Sequence, residues 1–229
     1  MYSDLGVIIV AGGSSSRFGG KNKLLEKING IPLFIYSIKC FVKKCNEKNI
    51  ILVCSKDYIE IYKAISKEFL PDNSISFTLG GKTRSESVIN GLKCLKNKLN
   101  FVAIHDAARP LVNEEIIKKC YESCKKSGSG VAAKKITDTV KLTDNKNKVL
   151  KTVNRENLWA IETPQIFNLQ ELSLAYKKIT DKNIFVTDDA GAMEIFGTDV
   201  SLVENPAPNI KVTYSTDLNY LKYLLNNAL

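Results

Sequence analysis

The sequence has very little of what acid–base and metal chemistry usually draws on. Its 229 residues contain one histidine, His105, which excludes multi-histidine metal sites and any relay needing two imidazoles. Only four of its 33 basic residues are arginine: Arg17, Arg84, Arg109 and Arg155. No apolar run is long and uncharged enough to span a bilayer, so neither a transmembrane helix nor a membrane partner is expected. The six cysteines (Cys40, Cys45, Cys54, Cys94, Cys120, Cys124) form no CxxC and no zinc-ligand spacing. Cys120 and Cys124 stand four apart on a predicted helix, which does not suit a structural disulfide, so buried free thiols in a reducing compartment are expected. The first residues run straight into a strand-like apolar segment without a basic leader region, and a cytoplasmic location is the expectation.

What is present describes a folded chain. A composition of 44% hydrophobic and 25% charged residues rules out disorder, and the length allows a sizeable core. No linker, repeat or low-complexity stretch interrupts it, so residues 1–229 are expected to form one domain. The net charge of +9 comes from lysines scattered singly and in pairs, such as Lys43-Lys44 and Lys177-Lys178. Without a basic block or an aromatic-basic stripe, nucleic acid is not an expected partner. Small phosphate-bearing molecules remain compatible with that charge.

Short apolar, β-branched runs alternate with helical patterns through the first 135 residues. Strands are predicted at Gly6–Ala11, Ile50–Cys54, Ile75–Leu79, Phe101–His105 and Gly130–Lys134. Helices are predicted near Pro32–Lys44, Tyr58–Phe69, Ser85–Lys96 and Glu114–Lys126. Uniformly apolar strands separated by helices imply a parallel sheet covered on both faces. The fold class is therefore α/β, a doubly wound and mostly parallel sheet, which binds ligands beyond the carboxyl ends of its strands. The pattern then changes. Lys135–Leu142 and Lys148–Val153 read as two strands joined by a polar turn, with too little apolar matter for a core of their own. They are expected to form an arm over 135–153. Helices near Leu169–Lys178 and Asp188–Phe196, a strand near Val200–Glu204 and a helix from Asp217 complete the prediction.

The first strand leads into Ala11-Gly12-Gly13-Ser14-Ser15-Ser16-Arg17-Phe18-Gly19-Gly20-Lys21-Asn22-Lys23. Small residues let a ligand approach the backbone, whose free N–H groups form a nest for phosphate oxygens. The segment holds neither GxGxxG nor GxxxxGK[ST], so dinucleotide and P-loop readings fail. A Gly/Ser loop with Arg17 and Lys23 beyond it is still suited to a polyphosphate, and a plain surface turn is its bland alternative. The fourth predicted strand ends in His105-Asp106-Ala107-Ala108-Arg109-Pro110. A carboxylate there is placed to hold Mg²⁺ on a nucleotide, and a lone Asp106 suffices because phosphates and water supply the other ligands. His105 is assigned to scaffold. In a lysine-rich chain the four arginines mark places where a bidentate fork is wanted: Arg17, Arg84 and Arg109 fall in candidate ligand segments and Arg155 just past the arm, with scattered salt-bridge arginines as the bland alternative.

Taken together, the Ala-Gly-Gly loop, Gly80–Gly91 (GGKTRSESVING), His105–Pro110 (HDAARP), Thr163–Phe167 (TPQIF), Thr187-Asp188-Asp189-Ala190 and Asn209–Thr213 (NIKVT) resemble the 2-C-methyl-D-erythritol 4-phosphate cytidylyltransferases. The resemblance covers nearly the whole chain, with the motifs in the family's order. Departures are Ala11-Gly12 where two alanines are common, and Asn22-Lys23-Leu24 where many members have Pro-Lys-Gln, which leaves Lys21 as a rival to Lys23. The resemblance implies a Rossmann-like nucleotidyltransferase fold and transfer of CMP from CTP, with Mg²⁺, to methylerythritol phosphate in non-mevalonate isoprenoid synthesis. It implies Arg17, Lys23, Arg155 and Lys211 as catalytic cations. CTP would be held by Ala11, Gly12, Gly13, Gly81, Arg84, Ser87, Asp106 and Ala107, with Asp106 also on the metal. Arg109, Thr139, Arg155, Thr187 and Lys211 would hold the sugar phosphate, some of them from a partner's arm in a homodimer. Lys211 is expected mid-strand, and Asp188-Asp189 as a charge pair at a helix N-terminus. A ribitol-5-phosphate cytidylyltransferase and a non-catalytic nucleotide-binding protein are the competing readings.

Overall fold

A computed structural model describes residues 1–13, 15–71, 75–95 and 98–227. In chain order its elements are β1 (Leu5–Ala11), β2 (Lys27–Ile28), β3 (Ile31–Pro32), α1 (Leu33–Val42), β4 (Ile50–Cys54), α2 (Ile59–Phe69), β5 (Ser76–Leu79) and α3 (Arg84–Cys94). Then come β6 (Phe101–Asp106), α4 (Glu114–Ser127), β7 (Ser129–Lys135), β8 (Val140–Thr143), β9 (Val149–Val153) and β10 (Trp159–Asn168). The chain closes with α5 (Leu169–Asp181), α6 (Asp189–Phe196), β11 (Leu202–Glu204) and α7 (Thr216–Asn227). The predicted helix end at Lys96 lies outside the described residues.

A seven-stranded sheet runs in the order β11-β7-β10-β6-β1-β4-β5. Four of its pairings are parallel, and only β10 runs antiparallel to both of its neighbours. The continuous apolar strands are explained by burial on both faces, since alternate side chains point to opposite sides of a strand. Leu5, Val7 and Ile9 of β1 join a core with α1 and α4, whereas Ile8 joins one with α3, α5 and α6. Local signals agree with the packing. Asn113 caps α4 by accepting from the Ile116 N–H, acidic residues open the helix, lysines close it, and Gly128 ends it at φ +82°.

Three expectations need correction. The ten-residue strand β10 was not foreseen, because Glu162, Thr163, Pro164 and Gln165 interrupt its apolar pattern. Its pairing with β7 shifts register between Ile161 and Gln165, and that irregularity absorbs the proline. The arm strand proposed from Lys135 is shorter: Lys135 still pairs with Trp159 in the main sheet, and the hairpin proper is β8 with β9. Asn209–Thr213, expected as a strand around Lys211, contains no strand at all. Among the cysteines, Cys45, Cys54, Cys120 and Cys124 are buried and free as expected, while Cys94 is exposed.

Gly130 marks where α4 and β7 press together: a Cβ there would stand 2.0 Å from the Cys120 carbonyl oxygen, a backbone atom that cannot yield. Gly130→Ala is therefore expected to destabilise the fold by about 3 kcal/mol in urea unfolding. An unchanged midpoint would contradict this packing.

Candidate active site

The site forms where parallel strands end. Val10 and Asp106 are register partners at the carboxyl ends of β1 and β6, and the loop after β5 leads into α3 at Arg84. This is the position at which open α/β sheets bind ligands. A cleft of about 350 Å³ opens there, with Ala11, Gly12 and Gly13 on one side and Gly81, Arg84 and Ser87 on the other. Lys23, Asp106 and Lys211 complete its polar wall.

The second wall is fixed by its own sequence. Thr83 caps α3 by accepting from the Glu86 N–H at 3.1 Å, and Glu86 Oε2 accepts from the Lys82 N–H at 2.8 Å. Ser87 Oγ accepts from the Gly81 N–H at 3.1 Å and donates to the Thr83 carbonyl at 2.9 Å. Glycine is required at 81, because a Cβ would lie 2.2 Å from that of Glu86. On the opposite wall, Asn22 caps a short 3₁₀ turn over Lys23–Leu25. The Lys23 ammonium donates to the Val212 carbonyl at 2.7 Å. Burial, then the Lys211 and Arg17 charges, lower its pKa, a cost that an arriving polyphosphate would reverse. Lys21 is exposed and does not line the cleft.

Asp106 sits among three cations. Lys211 Nζ is 2.7 Å from Oδ2, Arg109 Nε is 3.8 Å from the same oxygen, and Arg84 Nε is 3.7 Å from Oδ1. Burial pushes its carboxyl up, but Lys211, Arg84 and Arg109 outweigh burial and hold it well below the usual carboxylate range. Arg84 in turn donates to Asp189 Oδ2 at 2.6 Å, and Tyr176 donates its hydroxyl to Asp189 Oδ1 at 2.5 Å. Asp188 alone acts as the helix cap, accepting from the Gly191 N–H, whereas Asp189 is fully buried against Arg84. The expected charge pair is thus two residues with separate tasks.

A second cleft of about 290 Å³ lies on the far side of this cluster. Arg84, Asp106 and Lys211 line both clefts; Arg109, Glu162, Thr163 and Thr187 line only the second. The structure therefore brings together most of the residues expected to hold nucleotide and sugar phosphate. Ala107 is buried beneath the site, and Arg17 is exposed on the turn before Lys23. Thr139 and Arg155 lie exposed next to the hairpin and line neither cleft; the Arg155 guanidinium donates to the Thr137 carbonyl. Glu162 and Gln165 were missed as individual residues. Gln165 donates to Asp188 at 3.0 Å and accepts from the Ala190 N–H at 2.9 Å, tying β10 to α6. No spacing in the sequence announces either role.

A Gly/Ser loop after the first strand, cations along it, and one carboxylate facing two adjoining clefts together define a nucleotidyltransferase of Rossmann-like fold. The family model for 2-C-methyl-D-erythritol 4-phosphate cytidylyltransferase matches residues 5–227. An enzyme of that name from Dictyoglomus thermophilum is 38% identical over 226 residues, 96% of each chain. One from Prochlorococcus marinus subsp. pastoris is 37% identical over 223 residues, 96% of this chain and 99% of its own. Among solved structures, the 4-diphosphocytidyl-2C-methyl-D-erythritol synthase of Anaerococcus prevotii superposes with a TM-score of 0.84 at 31% identity, covering 97% and 98% of the two chains. The Francisella tularensis 2-C-methyl-D-erythritol 4-phosphate cytidylyltransferase gives 0.79 at 31% identity, covering 96% and 99%. The chain belongs to the 2-C-methyl-D-erythritol 4-phosphate cytidylyltransferase family.

His105 beneath the site has a determined hydrogen-bond pattern. Its Nε2 lies 3.1 Å from the Arg109 carbonyl, which can only accept, so Nε2 carries the proton. Thr163 Oγ1 accepts from the Asp106 N–H at 3.1 Å and meets Nδ1 at 3.0 Å, donating its hydroxyl proton to the neutral ring. Burial pushes the imidazole pKa down to about 4, against the pull of Asp106. Below its unfolded value of about 6.5 the unfolded chain binds a proton that the folded chain refuses. Stability should thus fall as pH drops from about 6.5 towards 4, by on the order of 3 kcal/mol. With one histidine in the chain, ¹⁵N-histidine NMR reads it directly: an Nε2–H ring that does not titrate between pH 5.5 and 8 is expected, and a titration midpoint near 6.5 would contradict the geometry.

Proposed function

We propose that this protein transfers CMP from CTP to 2-C-methyl-D-erythritol 4-phosphate, releasing pyrophosphate and forming 4-diphosphocytidyl-2-C-methyl-D-erythritol. The observation that carries this reading is the pair of clefts sharing Arg84, Asp106 and Lys211. The first takes CTP between the Ala11–Gly13 loop and the Gly81–Ser87 segment, where backbone groups and Ser87 face the base. The second takes the acceptor, its phosphate towards Arg109, Thr187 and Lys211. A phosphate oxygen of the acceptor then approaches the α-phosphorus in line, opposite the departing pyrophosphate.

Such an acceptor is already anionic, so no protein nucleophile or base is needed, in keeping with a chain that has one buried histidine. What must be supplied is orientation and positive charge where the pentacoordinate phosphorus forms. Lys23, Lys211 and Arg17 provide that charge, and Asp106 keeps Lys211 and Arg84 aimed at the junction before substrate arrives. The residues also fit a magnesium ion carried in with CTP: Asp106 offers one hard oxygen donor, and phosphates and water supply the rest. No group of three metal-ligating side chains occurs among the described residues, which suits an ion of that kind. Magnesium bound there would offset charge on the triphosphate.

Thr139 and Arg155 gain a role in a homodimer whose arms reach across. The hairpin supports this, because Leu142, Val149 and Leu150 stand out from it, Val149 at 59% and Leu150 at 62% exposure. We place the enzyme in the cytoplasm; no described helix is long and apolar enough to cross a membrane.

With CTP and Mg²⁺, pyrophosphate should be released in the presence of methylerythritol phosphate and not of ribitol 5-phosphate. Lys23→Ala should lower kcat by on the order of 100-fold with little change in the KM for CTP, and Lys21→Ala should change neither by more than about twofold. Release with ribitol phosphate alone, or a loss that follows Lys21, would contradict the assignment.

A further inference from the structure

Residues 205–213 have no helix or strand, yet this segment delivers the Lys211 ammonium to Asp106 at 2.7 Å and the Val212 carbonyl to Lys23 at 2.7 Å. An irregular segment cannot hold two such contacts by its own backbone ladder. Its fixings are therefore informative. At its start the Asn205 N–H donates to the Ala133 carbonyl of β7 at 2.8 Å, and near its end the Val212 N–H donates to the Ala108 carbonyl at 2.9 Å.

Between these points one carboxylate makes two of the remaining ties. Glu162, on β10 where the pairing with β7 shifts, accepts at Oε2 from Asn205 Nδ2 at 2.9 Å and from Asn209 Nδ2 at 3.0 Å. Asn209 Nδ2 donates also to the Thr163 carbonyl at 2.9 Å, and the Asn209 carbonyl accepts from Arg109 Nη1 at 2.7 Å. All three side chains are buried, Glu162 at 8%, Asn205 at 2% and Asn209 at 3% exposure. The Asn209 Oδ1 atom is buried without a partner, so the amide is turned to serve the carboxylate at the expense of its own acceptor.

We infer that Glu162 is a positioning residue: by binding Asn205 and Asn209 it fixes the 205–213 segment, and through it the placement of Lys211 at the junction of the two clefts. Arg109 is held to the same segment through the Asn209 carbonyl, so the second cleft and the lysine are set by one unit. The geometry needs an oxygen acceptor at Oε2, which a glutamine also provides. A buried polar group deprived of its partner is costly, so removing the acceptor releases both asparagines.

The inference rests on the reading of Lys211 as a cation of the transfer step, and a double-mutant cycle separates the two. Turnover is measured for the full-length protein and for Glu162→Ala, Glu162→Gln, Lys211→Ala and Glu162→Ala with Lys211→Ala, alongside each variant's melting temperature. Glu162→Ala should lower kcat by about 10-fold or more with the KM for CTP within about twofold, and Glu162→Gln should recover most of the loss. In the Lys211→Ala background, Glu162→Ala should cost less than about twofold further. If its effect instead multiplies fully with that of Lys211→Ala, or if glutamine recovers nothing, the inference is wrong. If Lys211→Ala leaves turnover intact, the reading of Lys211 fails and the inference with it. Should Glu162→Ala not fold, Asn205→Ala cuts one of the two ties and must show the same pattern at smaller size; additivity there is equally fatal.

Discussion

The Asp106 carboxylate, sunk at the end of a central strand and faced by Lys211, Arg84 and Arg109, is the interaction on which the site depends. A lone buried carboxylate would be protonated, and three cations crowded together would repel; each is tolerable only because of the other. The balance favours ionisation, since the cations outweigh burial and hold the carboxyl well below its ordinary range. Everything else brings these groups to one point. The sheet supplies Asp106, α3 supplies Arg84, the turn after β6 supplies Arg109, and an irregular segment near the C-terminus supplies Lys211. The cluster divides the two clefts and is shared by both, except that Arg109 faces only the second.

That arrangement matches the charge pattern of the chain. The lysine excess is mostly spread over exposed surface, where pairs such as Lys119 with Glu115 and Lys177 with Asp181 are solvated. Arg84 and Arg109 are different: both are largely buried and both hold fixed hydrogen bonds to groups far away in sequence. A planar fork loses less freedom per bond than a flexible ammonium, which suits the parts of the site that must stay still. Lysine stands at 23 and 211, each ammonium held by a single oxygen, the Val212 carbonyl and the Asp106 carboxylate.

Much of this was legible in the sequence because it is local. Apolar runs of strand length, the helical pattern that starts at Pro32, and the small residues at Ala11–Gly13 carry their meaning within a few positions. The five strands predicted in the first 135 residues, β1, β4, β5, β6 and β7, lie within one or two residues of their expected bounds. What was not legible is long-range. β10 carries Glu162, Thr163 and Gln165 at the second cleft, where its register shifts, and no periodicity predicts that. Lys211 has the alternating neighbours of a strand, but its segment is tied down by side chains from elsewhere and forms none. Asp189 resembles a helix-start charge until Arg84, 105 residues earlier, is seen against it. The homologues match over nearly the whole chain, and the solved structures among them share its fold.

The central claim is that one reaction spans both clefts, with its new bond formed at the Asp106–Lys211 junction. A crystal structure with the product, 4-diphosphocytidyl-2-C-methyl-D-erythritol, tests it most directly. Cytidine should lie between the Ala11–Gly13 loop and the Gly81–Ser87 segment, the polyol beside Arg109 and Thr187, and the diphosphate across Lys211. A product confined to one cleft, or bound with its diphosphate away from Lys211 and Asp106, would contradict the account.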